Sequence, residues 1–238
     1  MPRRGAGGKI NPECMSITEA LKEIEDSPGF FDHVADLQQS AKAEQQRREQ
    51  FYRDIDEDTK AEFINGQVVM HSPVRRRHLQ ASLNVAVLLR LYVGARNLGD
   101  VYTEKCMIRC QRNDYEPDMC FFGTVKCAQL TDDQLLFPSP DLIVEVLSPS
   151  TERNDRTVKL HDYARHGVSE YWIIDADART VEAYALAPNV DGYVLRARLA
   201  VGEQLTSGAA LPGFAVPVAA LFDPQEHQRA LSALLASA

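Results

Sequence analysis

The chain has 238 residues, 45% hydrophobic and 25% charged, with a formal net charge of −8. That mix suits a globular fold large enough to bury a sizeable core, as one elaborate domain or a domain with an extension. Apolar runs such as 142–144 and 171–174 fall far short of the roughly 20 residues of a membrane span, and the acidic balance argues against broad nonspecific attraction to nucleic acid.

The opening MPRRGAGGKI is followed by Asn11, Glu13 and Ser16 where a secretory signal needs an apolar core, so a cytoplasmic location without a membrane partner is expected. Residues 1–54 are polar and partly helix-prone, notably ADLQQSAKAEQQRREQFYRDI from Ala35, and are expected to be an extension. A compact domain over 55–225 follows, with 226–238 as a C-terminal tail. AEFINGQVVM reads as a hairpin turning at Asn65-Gly66. From Val74 to about Arg96, apolar residues at Leu79, Leu83, Ala86, Leu88 and Leu91 predict a helix with a broad buried face. VYTEKCMIRC alternates like one strand, QRNDYE turns, and PDMCFF is a short strand.

After a looser stretch, 123–139, comes the apolar strand Asp141–Leu147, then a Ser148-Pro-Ser-Thr151 cluster of helix-capping type and a helix from Glu152 to about His166, ended by Gly167. EYWIID, VEAYAL and GYVLRARLA supply further strands. A meander, a central apolar strand, a crossover helix and another apolar strand predict an α/β fold with a mixed β-sheet flanked by helices. The cysteines at 14, 106, 110, 120 and 127 form no CxxC pair and have no clustered histidines, so neither a zinc site nor a disulfide framework is expected.

Glu145 stands out, a carboxylate among Leu142, Ile143, Val144 and Val146. Left unpaired there, it would cost about several kcal/mol. Strand parity puts Asp118 with Cys120 on one face of their strand, and Glu145 with Asp141, Ile143 and Leu147 on one face of theirs, so the two acids can reach a common point. Paired carboxylates suit a hard cation such as Mg²⁺, while a single buried acid is better explained by an Arg or Lys partner. Lys159 follows Asp155 by four residues, and on spacing alone a surface ion pair accounts for it. Its functional alternative is a cation reaching toward Glu145, orienting water and offsetting charge.

The ordered string Glu116-Pro117-Asp118, Glu145-Val-Leu-Ser-Pro-Ser-Thr, Asp155-Arg156, Lys159, Tyr163-Ala164, Gly167-Val168, Glu170-Tyr171-Trp172 and Asp175 resembles the Uma-two family of bacterial restriction endonucleases, within the PD-(D/E)XK nuclease superfamily. The resemblance runs from about Glu62 to Leu221. It implies a restriction-endonuclease-like fold, Asp118 and Glu145 as metal-binding acids, and Mg²⁺ as cofactor with Mn²⁺ as alternative. The superfamily lysine belongs two residues after Glu145, where this chain has Leu147, which points to Lys159 on the next helix. Glu62 resembles an auxiliary acid aiding metal or water, and His78 a histidine near the site. The plain readings are a strand end for Glu62, a half-buried hydrogen-bonded histidine sharing a helix face with Val85 and Leu89, a solvated face for Arg75–Arg77, a turn-shaping residue for Asp141, and helix packing for Tyr163.

Two functions from different classes follow. One is a metal-dependent endonuclease hydrolysing DNA phosphodiester bonds, with a homodimer favoured for cutting both strands. The other is a catalytically inactive nuclease-fold module binding nucleic acid or a protein partner. A hydrolase acting on RNA or nucleotides is a third, weaker reading.

Overall fold

The structure, a computed structural model, describes residues 16–56 and 58–236; Cys14 and the first fifteen residues of the expected extension lie outside them. The chain divides into two compact units, residues 1–53 and 54–238. In the first, helix α1 (Ile17–Glu25) starts at a capping box: Ser16 Oγ accepts from the Glu19 backbone N–H, and the Glu19 carboxylate accepts from the Ser16 N–H at 2.8 Å. Helix α2 (Phe30–Asp54) follows. Among the described residues no helix is long and apolar enough to cross a membrane.

In the second unit, β1 (Ala61–Ile64) and β2 (Gln67–Met70) form the hairpin expected from Asn65-Gly66, both turn residues having positive φ. Helix α3 (Arg76–Arg96) buries His78, Ala81, Asn84, Val85, Leu88, Leu89, Tyr92 and Val93. The face expected from Leu79 and Leu83 is therefore displaced: these two are 51% and 61% exposed, and the buried stripe includes polar His78 and Asn84. Apolar periodicity misses it because Asn84 is sheltered by donating to the Leu221 carbonyl, and His78 by two further partners.

The stretch VYTEKCMIRC does not form one strand. It makes β3 (Gly99–Thr103) and β4 (Met107–Arg109), separated where Glu104 and Lys105 both adopt positive φ. The break moves the chain from one sheet to another. Next come β5 (Asp114–Tyr115), β6 (Met119–Gly123), the short helix α4 (Thr124–Cys127), β7 (Leu136–Phe137) and β8 (Leu142–Val146). Helix α5 (Glu152–Asn154) leads through a π-helical turn (Asp155–Lys159) into α6 (Leu160–Arg165), and Gly167, at positive φ, closes it. Then follow β9 (Glu170–Asp175), β10 (Thr180–Leu186), β11 (Tyr193–Ala200), β12 (Gln204–Thr206), β13 (Ala215–Pro217), a 3₁₀ turn (Val218–Leu221) and helix α7 (Pro224–Ala236).

The expected mixed sheet has the order β11-β10-β9-β8-β6-β3, with β8 and β9 parallel and the other neighbours antiparallel. A parallel neighbour requires a crossover, and α5 to α6 provides it. A second sheet, unforeseen in the sequence, has the order β2-β1-β5-β4-β7. Leu142, Val144 and Val146 join a core containing α3 residues, whereas Ile143 joins a core with Tyr163 of α6 and Ile64 of β1. Residues 226–238, set apart above as a tail, form in their described part most of α7, whose Ala230 and Leu234 enter the first core.

Gly99 opens β3 at φ +137°, and a Cβ there would overlap the Phe122 carbonyl oxygen of the paired strand. Gly99→Ala is therefore expected to lower the unfolding free energy by more than about 1 kcal/mol in a denaturant titration. An unchanged midpoint would contradict the close approach.

Candidate active site

The acids meet because β6 and β8 pair with Met119 opposite Val144, which puts Asp118 and Glu145 beside each other at the end of the ladder. Backbone bonds lock them together: the Asp118 N–H donates to Glu145 Oε2 at 3.3 Å, and the Val146 N–H to Asp118 Oδ2 at 2.8 Å. The alternating pleat turns Glu145 to the side of Ile143, toward α6 and β1.

There it meets Lys159. The lysine is 1% exposed, and its Nζ lies 2.9 Å from Glu145 Oε1, 2.9 Å from Glu62 Oε1 and 3.1 Å from Asp155 Oδ1. An ammonium has three N–H donors, and three carboxylates surround this one. Asp155, Lys159 and Tyr163 are spaced by four along the chain, and the Tyr163 hydroxyl donates to the same Glu145 Oε1 at 3.2 Å. In an α-helix residues four apart drift round the axis; the wider π turn counters that drift and holds all three toward the sheets.

Burial alone would strip the charge from Lys159, but Glu145, Glu62 and Asp155 outweigh it and hold the ammonium well above the ordinary lysine value. Burial pushes the Glu145 carboxyl up to about 8; Lys159 opposes this, while Asp155, Asp118 and Glu62 add to it. Asp155 is raised by burial too, against the pull of Lys159. Asp118 behaves oppositely. Burial would raise it, yet His78 and the Val146 N–H bring it below the usual carboxylate range. His78 itself is lowered by burial but raised overall by Asp118 and the Leu147 carbonyl, with Nε2 3.6 Å from Asp118 Oδ2 and Nδ1 3.5 Å from Leu147 O.

Asp118, Glu145, Lys159 and His78 line a cleft of about 380 Å³ together with Lys60, His71, Glu116, Ser148, Ser150 and Thr151, and Glu62 and Asp155 lie behind them against Lys159. The structure thus brings together all five residues singled out in the sequence: Asp118, Glu145, Lys159, Glu62 and His78. Two plain readings are corrected and a third is extended. Glu62 lies inside β1, 1% exposed, with Oε1 accepting from both Lys159 and the Glu116 N–H; it is not a strand end. The Lys159–Asp155 pair is buried, because the crossover helix lies on the sheet. Tyr163 packs among aromatic rings but also holds Glu145.

The capping expectation also fails: Thr151 is the cap residue without a side-chain capping bond, while Ser148 Oγ shares hydrogen bonds with Ser150 and Thr151. Asp141 accepts from the Gly123 N–H and pairs with Lys126, tying β8 to the start of α4. Arg75 and Arg77 pair with Asp177. Sequence reasoning passed over His71 and gave Glu116 no role. Glu116 Oε2 is buried without a hydrogen-bond partner, and burial pushes that carboxyl up to about 7, against Lys60 and with Glu62. Its signal was its place two residues before Asp118.

Among the described residues, no group of three or more His, Cys, Asp or Glu is arranged to enclose a metal. The available donor set is smaller and harder: two neighbouring carboxylates, with Asp118 Oδ1 carrying no hydrogen bond among the described residues. Mg²⁺ is usually held by one or two carboxylates and several waters, and this arrangement fits it. Soft metals find no clustered thiolate or imidazole here.

Comparisons with known proteins agree with this architecture. The Uma2 family model, described as "Putative restriction endonuclease", matches residues 48–219. A crystal structure of a "putative nuclease belonging to DUF820" from Anabaena variabilis is similar with a TM-score of 0.61 at 17% identity, covering 72% of this chain and 94% of that one. At that identity the likeness speaks for a shared fold. No curated protein matches. Because the family model spans most of the chain, from the end of α2 through β13, the protein belongs to the Uma2 family.

Proposed function

We propose that this chain is a metal-dependent endonuclease that hydrolyses phosphodiester bonds in DNA. The observation that carries the reading is the placement of Asp118 and Glu145 side by side on paired strands, at the wall of a polar cleft, with a buried lysine fixing one of them. Asp118 and Glu145 would hold Mg²⁺, or Mn²⁺ in its place. Such a cation supplies Lewis-acid polarisation of the phosphoryl group and compensation of the charge that builds on its oxygens.

The protein's own groups do the rest. Lys159 and Tyr163 fix Glu145 through Oε1 and leave Oε2 beside the Asp118 backbone. His78 does the same for Asp118 through Oδ2. Lys60 at the cleft rim is placed to meet a backbone phosphate. With one site per chain, cutting both strands of a duplex calls for two copies, so a homodimer belongs to this reading.

Purified protein is expected to cut DNA with Mg²⁺ or Mn²⁺, to stop on chelation, and to lose about 100-fold or more of its rate in Glu145→Ala. Equal rates for the variant and wild type, prepared identically, would defeat the assignment and expose a contaminant. One observation favours a second reading, a catalytically inactive nuclease-fold module: Lys159 is buried among three carboxylates, an arrangement that a purely structural role explains by itself. That module predicts no Mg²⁺ binding dependent on both acids. A panel of DNA, RNA and nucleotide substrates separates the third reading.

A further inference from the structure

Hydrolysis of a phosphodiester requires that the attacking water lose a proton, and the cleft contains few groups able to take it. Lys159 is a buried ammonium paired with Glu62, Glu145 and Asp155, so it has no lone pair to offer. His78 has Nδ1 3.5 Å from Leu147 O and turns Nε2 toward Asp118, one of the two acids proposed to hold the cation, at 3.6 Å from Oδ2. The remaining cleft imidazole is His71, immediately after β2 and held there by its N–H to the Lys60 carbonyl. Its Nε2 is buried without a hydrogen-bond partner, and the closest carboxylate oxygen, Glu62 Oε2, stands 3.6 Å away. A buried polar atom left without a partner is unfavourable, and a polar group drawn in from the cleft beside it would relieve that cost.

We propose that His71 is a catalytic residue, the proton acceptor for the attacking water, an inference that rests on the nuclease reading above. The water O–H bond breaks and its proton goes to Nε2. The water oxygen forms the new P–O bond with its electron pair. The scissile P–O bond to the sugar breaks, its electrons stay on the sugar oxygen, and solvent protonates that oxygen. His71 then returns its proton to solvent.

The charges facing His71 suit this role. Burial, Lys60 and Lys159 keep the imidazole below its ordinary value, hence neutral and able to accept near neutral pH, while Glu62 and Asp118 oppose them. Glu116, another acid of the cleft, feels the charges of both Lys60 and Glu62. On gaining a proton, His71 becomes the cation paired with Glu62, so the new charge does not stand alone.

The test is the pH dependence of metal-dependent DNA cleavage by the full chain and by His71→Ala and His71→Gln, each checked for folding by thermal melting. Wild type is expected to gain rate with pH and level off. Both variants are expected to fall by about 100-fold or more on the plateau, and added imidazole should restore part of the His71→Ala rate. Variants within about threefold of wild type at every pH would overturn the role of His71 and leave the nuclease reading standing. A wild type inert under every metal overturns both.

Discussion

Lys159→Met is expected to destabilise the 54–238 unit by about 3–5 kcal/mol at neutral pH, because it leaves Glu62, Glu145 and Asp155 buried around an apolar side chain. The loss should depend on pH in a defined direction. Without the ammonium, carboxyls that burial already raises, Glu145 and Asp155, are raised further in the folded state. A group whose folded value is raised contributes stability that is present below its unfolded value and disappears as pH climbs through the folded one. The deficit should therefore be smallest in acid and grow toward neutral pH and above. Denaturant titrations at several pH values measure it, and the double variant Glu145→Gln/Lys159→Met should recover part of the loss. A pH-independent deficit, or one below about 1 kcal/mol, would mean that the lysine is not holding these charges in the fold.

Asp118→Asn is expected to abolish Mg²⁺ binding measured by calorimetry, and Glu145→Gln to do the same, while both stay folded. The reason is the size of the donor set. With only two carboxylates side by side, each supplies half of the anionic charge that replaces the cation's hydration. Of the two, Asp118→Asn should disturb the protein less. Glu145 sits under Lys159 and Tyr163, whereas Asp118 has a backbone N–H and a histidine at 3.6 Å. Undiminished Mg²⁺ binding in either variant would move the cation elsewhere and sink the proposed site.

Much of this was readable in the chain because the informative residues break a local rule. A glutamate inside LIVEV violates the apolar pattern of a buried strand, and the violation pointed to the candidate site. Asn65-Gly66 and Gly167 read correctly because positive φ has a strong residue preference. The split between β3 and β4 was hidden for the opposite reason: Glu104 and Lys105 adopt positive φ without glycine's signature, so the alternation seemed to continue through them. The second sheet was missed with it, since β5 and β7 have only two residues each. The burial of Lys159 was out of reach as well. Its charge favours a surface, and only the addition of Glu62 from β1 and Glu145 from β8 to the local acid Asp155 makes an interior lysine tenable.

The three carboxylates around that ammonium come from separate layers: Glu62 from the five-stranded sheet, Glu145 from the six-stranded sheet and Asp155 from the crossover helix. One nitrogen atom therefore acts as a clasp between layers that share no backbone hydrogen bonds in the sheet pairing. Opening any one layer strands charge in the other two, so the layers are bound to separate together or not at all. Position 159 is consequently constrained by the fold itself, whatever chemistry the cleft performs.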